Sequence, residues 1–264
     1  MHGSRIIALF VLSILASNLA TSAELTSQQR AQAFASLPDW RGIWEVEAWT
    51  ERTAAGRPAG GIAAVKAKSA LAGHPPYKPD WEARYQAGLK NLDAIRASEA
   101  QRKVCSFGFP VMMESPSLFQ VVLLPEETMF VFVTQDVRHI YTDGRPHAPK
   151  DELWPTRMGY SVGHWEGNTL VIHTIARQAT APIAHASPLS LLSPEARFTE
   201  RIRRVGPDRL ENEMTIEDPV ALARPWKLTL AYRRVADLER LGNYDCQEND
   251  RNPVIDGKLT IAPP

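Results

Sequence analysis

The sequence predicts a mainly β protein: an antiparallel barrel or strongly rolled sheet of about nine strands, with one long helix. From residue 118 to 234 the chain is a series of short runs rich in β-branched and aromatic residues. Tight turn sequences such as Gly167-Asn168 separate these runs, and short links make consecutive strands antiparallel neighbours. So many short strands are typical of a sheet that closes on itself.

Residues 1–23 have the three parts of a secretory signal peptide. Arg5 supplies the positive charge, residues 6–16 form an apolar segment too short to span a bilayer, and small residues at 21–23 form a cleavage site. We therefore expect a periplasmic or secreted protein with one barrel domain over residues 24–264. We expect no membrane span in the mature chain.

The charge balance bears on the class of partner. The chain has 30 Lys and Arg residues against 30 Asp and Glu residues, and loss of the signal peptide leaves a net charge near −1. A nucleic-acid-binding domain usually carries a basic patch or a basic net charge. The sequence therefore predicts no nucleic-acid partner.

The two cysteines, Cys105 and Cys246, belong to a chain that we expect to be exported. In an oxidising compartment an even pair more often forms a disulfide than a metal or catalytic site. We predict a bond that joins the end of the predicted helix to the C-terminal segment. Thiol labelling of the unreduced, denatured protein should find no free cysteine, and two reactive thiols per chain would contradict the bond.

Two elements precede the strand-rich region. Residues 37–49 contain the predicted first strand, in which Trp44 and Val46 share a face. Residues 80–103 form the predicted long helix, which Asp80 can cap. Its apolar stripe comprises Trp81, Tyr85, Leu89, Leu92 and Ile95. We expect the stripe to cover a sheet face or to close one end of the barrel.

The sequence of residues 160–175, Y-S-V-G-H-W-E-G-N-T-L-V-I-H-T-I, predicts a β-hairpin with Gly167-Asn168 as its turn. If these two residues are the whole loop, His164 faces Val171, and His173 lies diagonally from His164 on the same sheet face. A loop longer by one residue would break this arrangement.

Polar residues collect where the run 137–142 ends. Tyr141 and Asp143 are followed by His147 in a loop rich in Pro, and long loops on a β scaffold often carry function. Asp143 and His147 have the chemistry of an orienting carboxylate and a general base. Alternatively, the stretch is an Asx turn without a catalytic role.

A buried ion pair is predicted from strand alternation. Glu200 lies between Phe198 and Ile202 on one face, and Arg138 shares a face with Ile140. An inward carboxylate needs a partner, and a guanidinium supplies two parallel hydrogen bonds. We expect contact between Glu200 and Arg138, either as a structural ion pair or as the lining of a ligand cavity.

Two resemblances to known families concern the fold. Gly42-Ile43-Trp44 resembles the G-x-W signature of lipocalins and other calycins, which implies a calycin-like barrel. Five longer runs resemble a large family of exported bacterial proteins, abundant in acidobacteria and proteobacteria, most of which lack an assigned function. The runs are R-H-I-Y-T-D-G-R-P-H (138–147), G-Y-S-V-G-H-W-E-G-N-T-L-V-I (159–172), T-I-E-D-P (215–219), R-P-W (224–226) and Y-D-C-Q-E-N (244–249). This resemblance implies an exported β-rich barrel and no particular catalytic residue.

Two functions fit these observations, and both work without a cofactor or metal. The first is a barrel that binds a small apolar or aromatic molecule. Its expected ligand-binding residues are Arg138, His164, Trp165, His173 and Trp226. The alternative is a lyase, isomerase or hydrolase that uses acid–base chemistry in the same cavity. Its expected catalytic residues are Tyr141, Asp143, His147 and Glu200. A role in envelope structure without a ligand is a third possibility.

Overall fold

The structure is a computed structural model, and it describes residues 26–47, 73–91, 94, 108–115, 117–149, 151–178, 187–242, 254–255 and 258–259. The predicted signal peptide, Cys105 and Cys246 lie outside the described residues. Export and the disulfide therefore stay predictions.

Nine strands form a closed barrel in which each strand pairs with the next along the chain. The strands are β1 (Ile43–Val46), β2 (Phe119–Leu123), β3 (Glu127–Phe132), β4 (Val137–Tyr141), β5 (Tyr160–Glu166), β6 (Thr169–Ile175), β7 (Arg197–Gly206), β8 (Arg209–Glu217) and β9 (Trp226–Arg234). β9 closes the barrel by pairing antiparallel with β1. The predicted mainly β fold with a closed sheet is confirmed. Two further short strands, Val254–Ile255 and Lys258–Leu259, pair with each other.

One pair of neighbouring strands departs from the predicted antiparallel order. β4 and β5 run parallel, with Ile140 opposite Ser161 and Tyr141 opposite Val162. Parallel neighbours need a connection long enough to return along the sheet. Residues 142–159 supply that length. The expectation that short links make consecutive strands antiparallel therefore does not hold for β4 and β5.

The β5–β6 hairpin has the predicted register. Glu166 pairs with Thr169, and His164 pairs with Val171, so the loop consists of two residues. Gly167 has φ +58°, a conformation that glycine adopts without strain. The diagonal placement of His164 and His173 on one face is therefore confirmed.

The interior of the barrel is packed with aromatic side chains. The fully buried ones include Trp44, Phe119, Phe130, Phe132, Phe198 and Tyr232. The Phe119 ring lies 5.6 Å from Phe130 and 5.1 Å from Tyr232, measured between ring centroids. Small barrels commonly fill their interior in this way. The interior is therefore a packed aromatic core at the level of these side chains.

The predicted helix of residues 80–103 is shorter and starts earlier. It is α2 (Pro79–Lys90), with Lys78 as N-cap and Asn91 as C-cap. Proline suits the first helical position because its missing N–H is unused there. Asp80 therefore lies inside the first turn, where its charge favours the helix dipole, and does not cap the helix. A single long helix is not confirmed.

The described part of the chain has two other α-helices and a short 3-10 helix, Pro188–Ser190. α1 (Ser27–Ser36) begins with a capping box, in which the side chains of Thr26 and Gln29 each bond the other's backbone N–H. α3 (Val111–Glu114) is a single buried turn. Within the ranges that the structure describes, no helix is long and apolar enough to cross a lipid bilayer.

One end of the barrel is closed by connecting segments, and we call it the lower end. It holds the last residue of β1 and the first residues of β7 and β9. Asp218 follows β8 there and fixes Ser193: its carboxylate accepts from the Ser193 N–H at 2.6 Å and from the Ser193 hydroxyl at 2.7 Å. The same carboxylate accepts from the N–H groups of Val220 and Ala221. Asp218, from the T-I-E-D-P run, thus has a structural role in this end.

Candidate functional site

The opposite, upper end of the barrel carries a cleft of about 330 Å³ between α1 and the barrel wall. Its lining is mostly apolar: Phe34, Leu37, Pro38, Asp39, Trp40, Arg41, Val121 and Leu123. The cleft is half open to solvent, and its volume is at the lower end of the range of small-molecule sites. The cleft is the candidate functional site.

The barrel side of the cleft follows from strand alternation. Val121 and Leu123 share the inner face of β2 with the buried Phe119, but they lie nearer the mouth. Trp40 forms the floor beside them and is 1% exposed. The Trp165 ring packs edge-on against it at 5.2 Å between centroids. This side of the cleft is therefore built on the barrel core.

The polar rim of the cleft is neutralised internally. Arg41 donates from Nε to Asp39 Oδ1 at 2.8 Å and from Nη2 to Asp39 Oδ2 at 3.0 Å. These hydrogen bonds hold the pKa of the Asp39 carboxyl well below its usual range. Because the two charges cancel, the rim offers no net charge to a ligand.

The predicted contact between Arg138 and Glu200 is confirmed inside the barrel. Arg138 is 1% exposed and Glu200 is 0% exposed. Arg138 Nη1 donates to Glu200 Oε1 at 3.2 Å, and Arg138 Nη2 donates to Glu200 Oε2. The pair has the fork geometry that makes Arg–carboxylate bonds strong.

Neighbouring side chains enclose this ion pair. Arg138 Nη2 also donates to Thr174 Oγ1 at 3.0 Å, and Asn212 Nδ2 donates to Glu200 Oε1 at 2.8 Å. The guanidinium carbon of Arg138 lies 3.9 Å from the centre of the Phe109 ring. The arrangement ties four strands together, and this supports the structural interpretation of the pair over the cavity-lining one.

The loop after β4 brings Tyr141 and Asp143 together with Arg145 on the outer surface. Arg145 donates to Asp143 from Nε at 2.9 Å and from Nη2 at 2.6 Å, and its guanidinium lies 4.3 Å from the Tyr141 ring centre. The hydrogen bonds from Arg145 lower the pKa of Asp143. Asp143 thus binds Arg145. In the expected acid–base dyad, it would instead orient His147.

His147 lies near the same cluster. Its ring is 5.8 Å from that of Tyr160, and burial, together with the nearby His173, lowers its pKa. Glu200 points into the barrel, whereas Tyr141 lies outside, because its neighbour Ile140 faces the core. The four expected catalytic residues are therefore divided between the two sides of the barrel wall.

The expected ligand-binding residues also separate. His164 and His173 are exposed on the outer wall, and Arg138 is inside the barrel. Trp226 is buried at the lower end. Trp165 does not line the cleft, but its ring packs against Trp40, which does.

The sequence analysis missed the helix side of the cleft. Phe34 and Leu37 were not among the expected ligand-binding residues. A signal was available, since Phe34, Leu37 and Trp40 recur every three residues in a mostly polar leader. These apolar residues lie on both sides of the helix end at Leu37, and the proline after Leu37 predicts that end.

Among the described residues, no group of three or more His, Cys, Asp or Glu side chains is placed to hold a metal ion.

Comparison with protein-family models, with curated proteins and with solved structures finds no match to this chain.

Proposed function

We propose that the protein is an exported barrel that binds a small, neutral, apolar or aromatic molecule in the upper cleft. The observation that supports this best is the cleft itself, an apolar space of about 330 Å³ at the mouth of a closed barrel. Ligand sites favour concave apolar surfaces with few polar groups. The proposal moves the site from the barrel interior, which is packed, to its mouth.

The chemistry of the lining defines the ligand class. Phe34 offers an exposed aromatic ring and Leu123 offers aliphatic surface, with Trp40 buried beneath them. An ionic ligand would lose its hydration without a matching charge, because Asp39 and Arg41 already satisfy each other. A neutral ring compound avoids that loss.

The expected affinity is modest. An aromatic ligand that buries roughly 200 Å² gains about 5 kcal/mol from the hydrophobic effect. Lost translational and rotational freedom offsets most of this gain, so the Kd is on the order of 1 mM or weaker. Titrations therefore need millimolar ligand or a probe with a larger apolar surface.

Titration with N-phenyl-1-naphthylamine, a neutral probe whose emission rises in apolar surroundings, tests the site. We expect saturable binding to one site per chain. Phe34→Arg should weaken binding about 10-fold, because it replaces the apolar ring by a charged head that stays hydrated and leaves the ligand less apolar surface to bury. Phe34 is 57% exposed on α1, so this change leaves the barrel core intact.

A matched substitution controls for charge alone. Leu238 is also exposed and lies outside the cleft lining, so Leu238→Arg should leave probe binding unchanged. Leu123→Arg is a separate variant that places a charge on the barrel side of the cleft. It should weaken probe binding as Phe34→Arg does. No saturable binding, or binding that ignores both cleft variants, would refute the proposed site.

A further inference from the structure

α1 is attached to the barrel by few contacts. None of its residues is buried, although the helix forms one side of the cleft. An ion pair joins it to the β2–β3 turn, with Arg30 Nη1 at 2.5 Å from Glu126 Oε1. Both side chains are partly exposed, and ion pairs of this kind contribute little to stability and are screened by salt. The helix is therefore held lightly.

The chain becomes fixed immediately after α1. Leu37 ends the helix with extended backbone, φ −69° and ψ 145°, because the residue before a proline disfavours helical geometry. Trp40 is already part of the core, and Arg204 Nη1 donates to the carbonyl of Asp39. Leu37 and Pro38 thus connect a lightly held helix to a fixed anchor, which is the arrangement of a hinge.

A ligand in the cleft touches both sides of this hinge. Phe34 and Leu37 line the cleft from the helix side, and Val121 and Leu123 line it from the barrel side. Because Leu37 belongs to the hinge, a molecule in the cleft loses its contact with Phe34 when α1 opens and keeps the contacts with the barrel side. A ligand shifts an equilibrium by its difference in affinity for the two states.

We infer that α1 is a lid on the proposed binding site, closed by the ligand and latched by the pair Arg30–Glu126. The inference rests on the proposed function and concerns its regulation. The ligand enters and leaves when α1 swings on Leu37-Pro38. Salt that screens the latch should speed ligand release.

Hydrogen exchange of the full chain tests the lid. In the free protein the backbone amides of residues 27–36 should exchange quickly, since local opening is easy where little surface is buried. Saturating N-phenyl-1-naphthylamine should slow their exchange at least about 10-fold if the probe closes the lid. Amides of the β7–β8 hairpin serve as the internal reference and should not change.

A latch variant with a matched control sharpens the test. Arg30→Ala should speed probe release several-fold in stopped-flow measurements. Arg201→Ala removes a similarly exposed pair, Arg201–Glu166 at 2.7 Å on the outer wall, and should leave the release rate unchanged.

The outcomes separate the lid from the site. Saturable probe binding without slower exchange in α1 would overturn the lid and leave the proposed function standing. A release rate unaffected by Arg30→Ala would remove the latch and overturn the inference as stated. Absence of saturable binding would overturn the proposed function, and the lid with it.

Discussion

Replacing Glu200 with alanine should lower the free energy of unfolding by about 3 to 5 kcal/mol, the range for leaving a buried charge without its partner. The carboxylate accepts two hydrogen bonds from Arg138 and one from Asn212. Its loss leaves the guanidinium in the core, far from water. Arg138→Ala should cost a similar amount, because it leaves the carboxylate buried instead. Urea unfolding monitored by tryptophan fluorescence measures both.

Replacing both partners by apolar residues gives the sharper result. Arg138→Met with Glu200→Leu should cost less than the sum of the single changes, since no lone charge remains in the core. The surface pair Arg234–Asp208, with 2.6 Å between Nε and Oδ1 and both side chains about half exposed, is the control. Its coupling should stay below about 1 kcal/mol. Near-neutral, additive single changes at Arg138 and Glu200 would contradict the buried ion pair.

The inner ion pair was predictable because it depends on local rules. Side chains alternate along a strand, so the apolar neighbours of Glu200 and Arg138 fixed the faces of both residues. The register of the β5–β6 hairpin was predictable for the same reason, because Gly167-Asn168 sets the loop length. Period and turn chemistry act within a few residues, and the sequence displays them directly.

The features that sequence reasoning missed depend on distant parts of the chain. The cleft joins residues 34–41 to Val121 and Leu123, and no local period links two segments so far apart. The parallel pairing of β4 with β5 depends on the path of the connecting residues 142–159. Their irregular sequence does not predict that path. Asp143 binds Arg145, two residues away, which offers the carboxylate a closer and charged partner than His147, and the catalytic role of these residues stays a prediction.

Glu114 should make the stability of the protein fall as the pH rises. It ends α3, is 5% exposed, and burial raises its pKa from 4.5 to about 7, against the opposing effect of a hydrogen bond with Ser187. Between pH 4.5 and about 7, the folded state therefore keeps a proton on Glu114 that the unfolded state has already released. This contribution to stability is fully present below pH 4.5 and disappears as the pH rises through 7. The difference amounts to about 3 kcal/mol.

Glu114→Gln should remove this dependence, because the amide resembles the protonated carboxyl and does not titrate. The variant should match the natural protein at pH 4.5 and exceed its free energy of unfolding by about 3 kcal/mol at pH 8. Urea unfolding of both proteins at several pH values gives the difference, in which the other titrating groups, including His147, cancel. Glu213→Gln on the exposed face of β8 is the matched control and should show no such divergence. If natural protein and Glu114→Gln follow parallel curves, the Glu114 carboxyl titrates as it does in water, and its burial carries no cost.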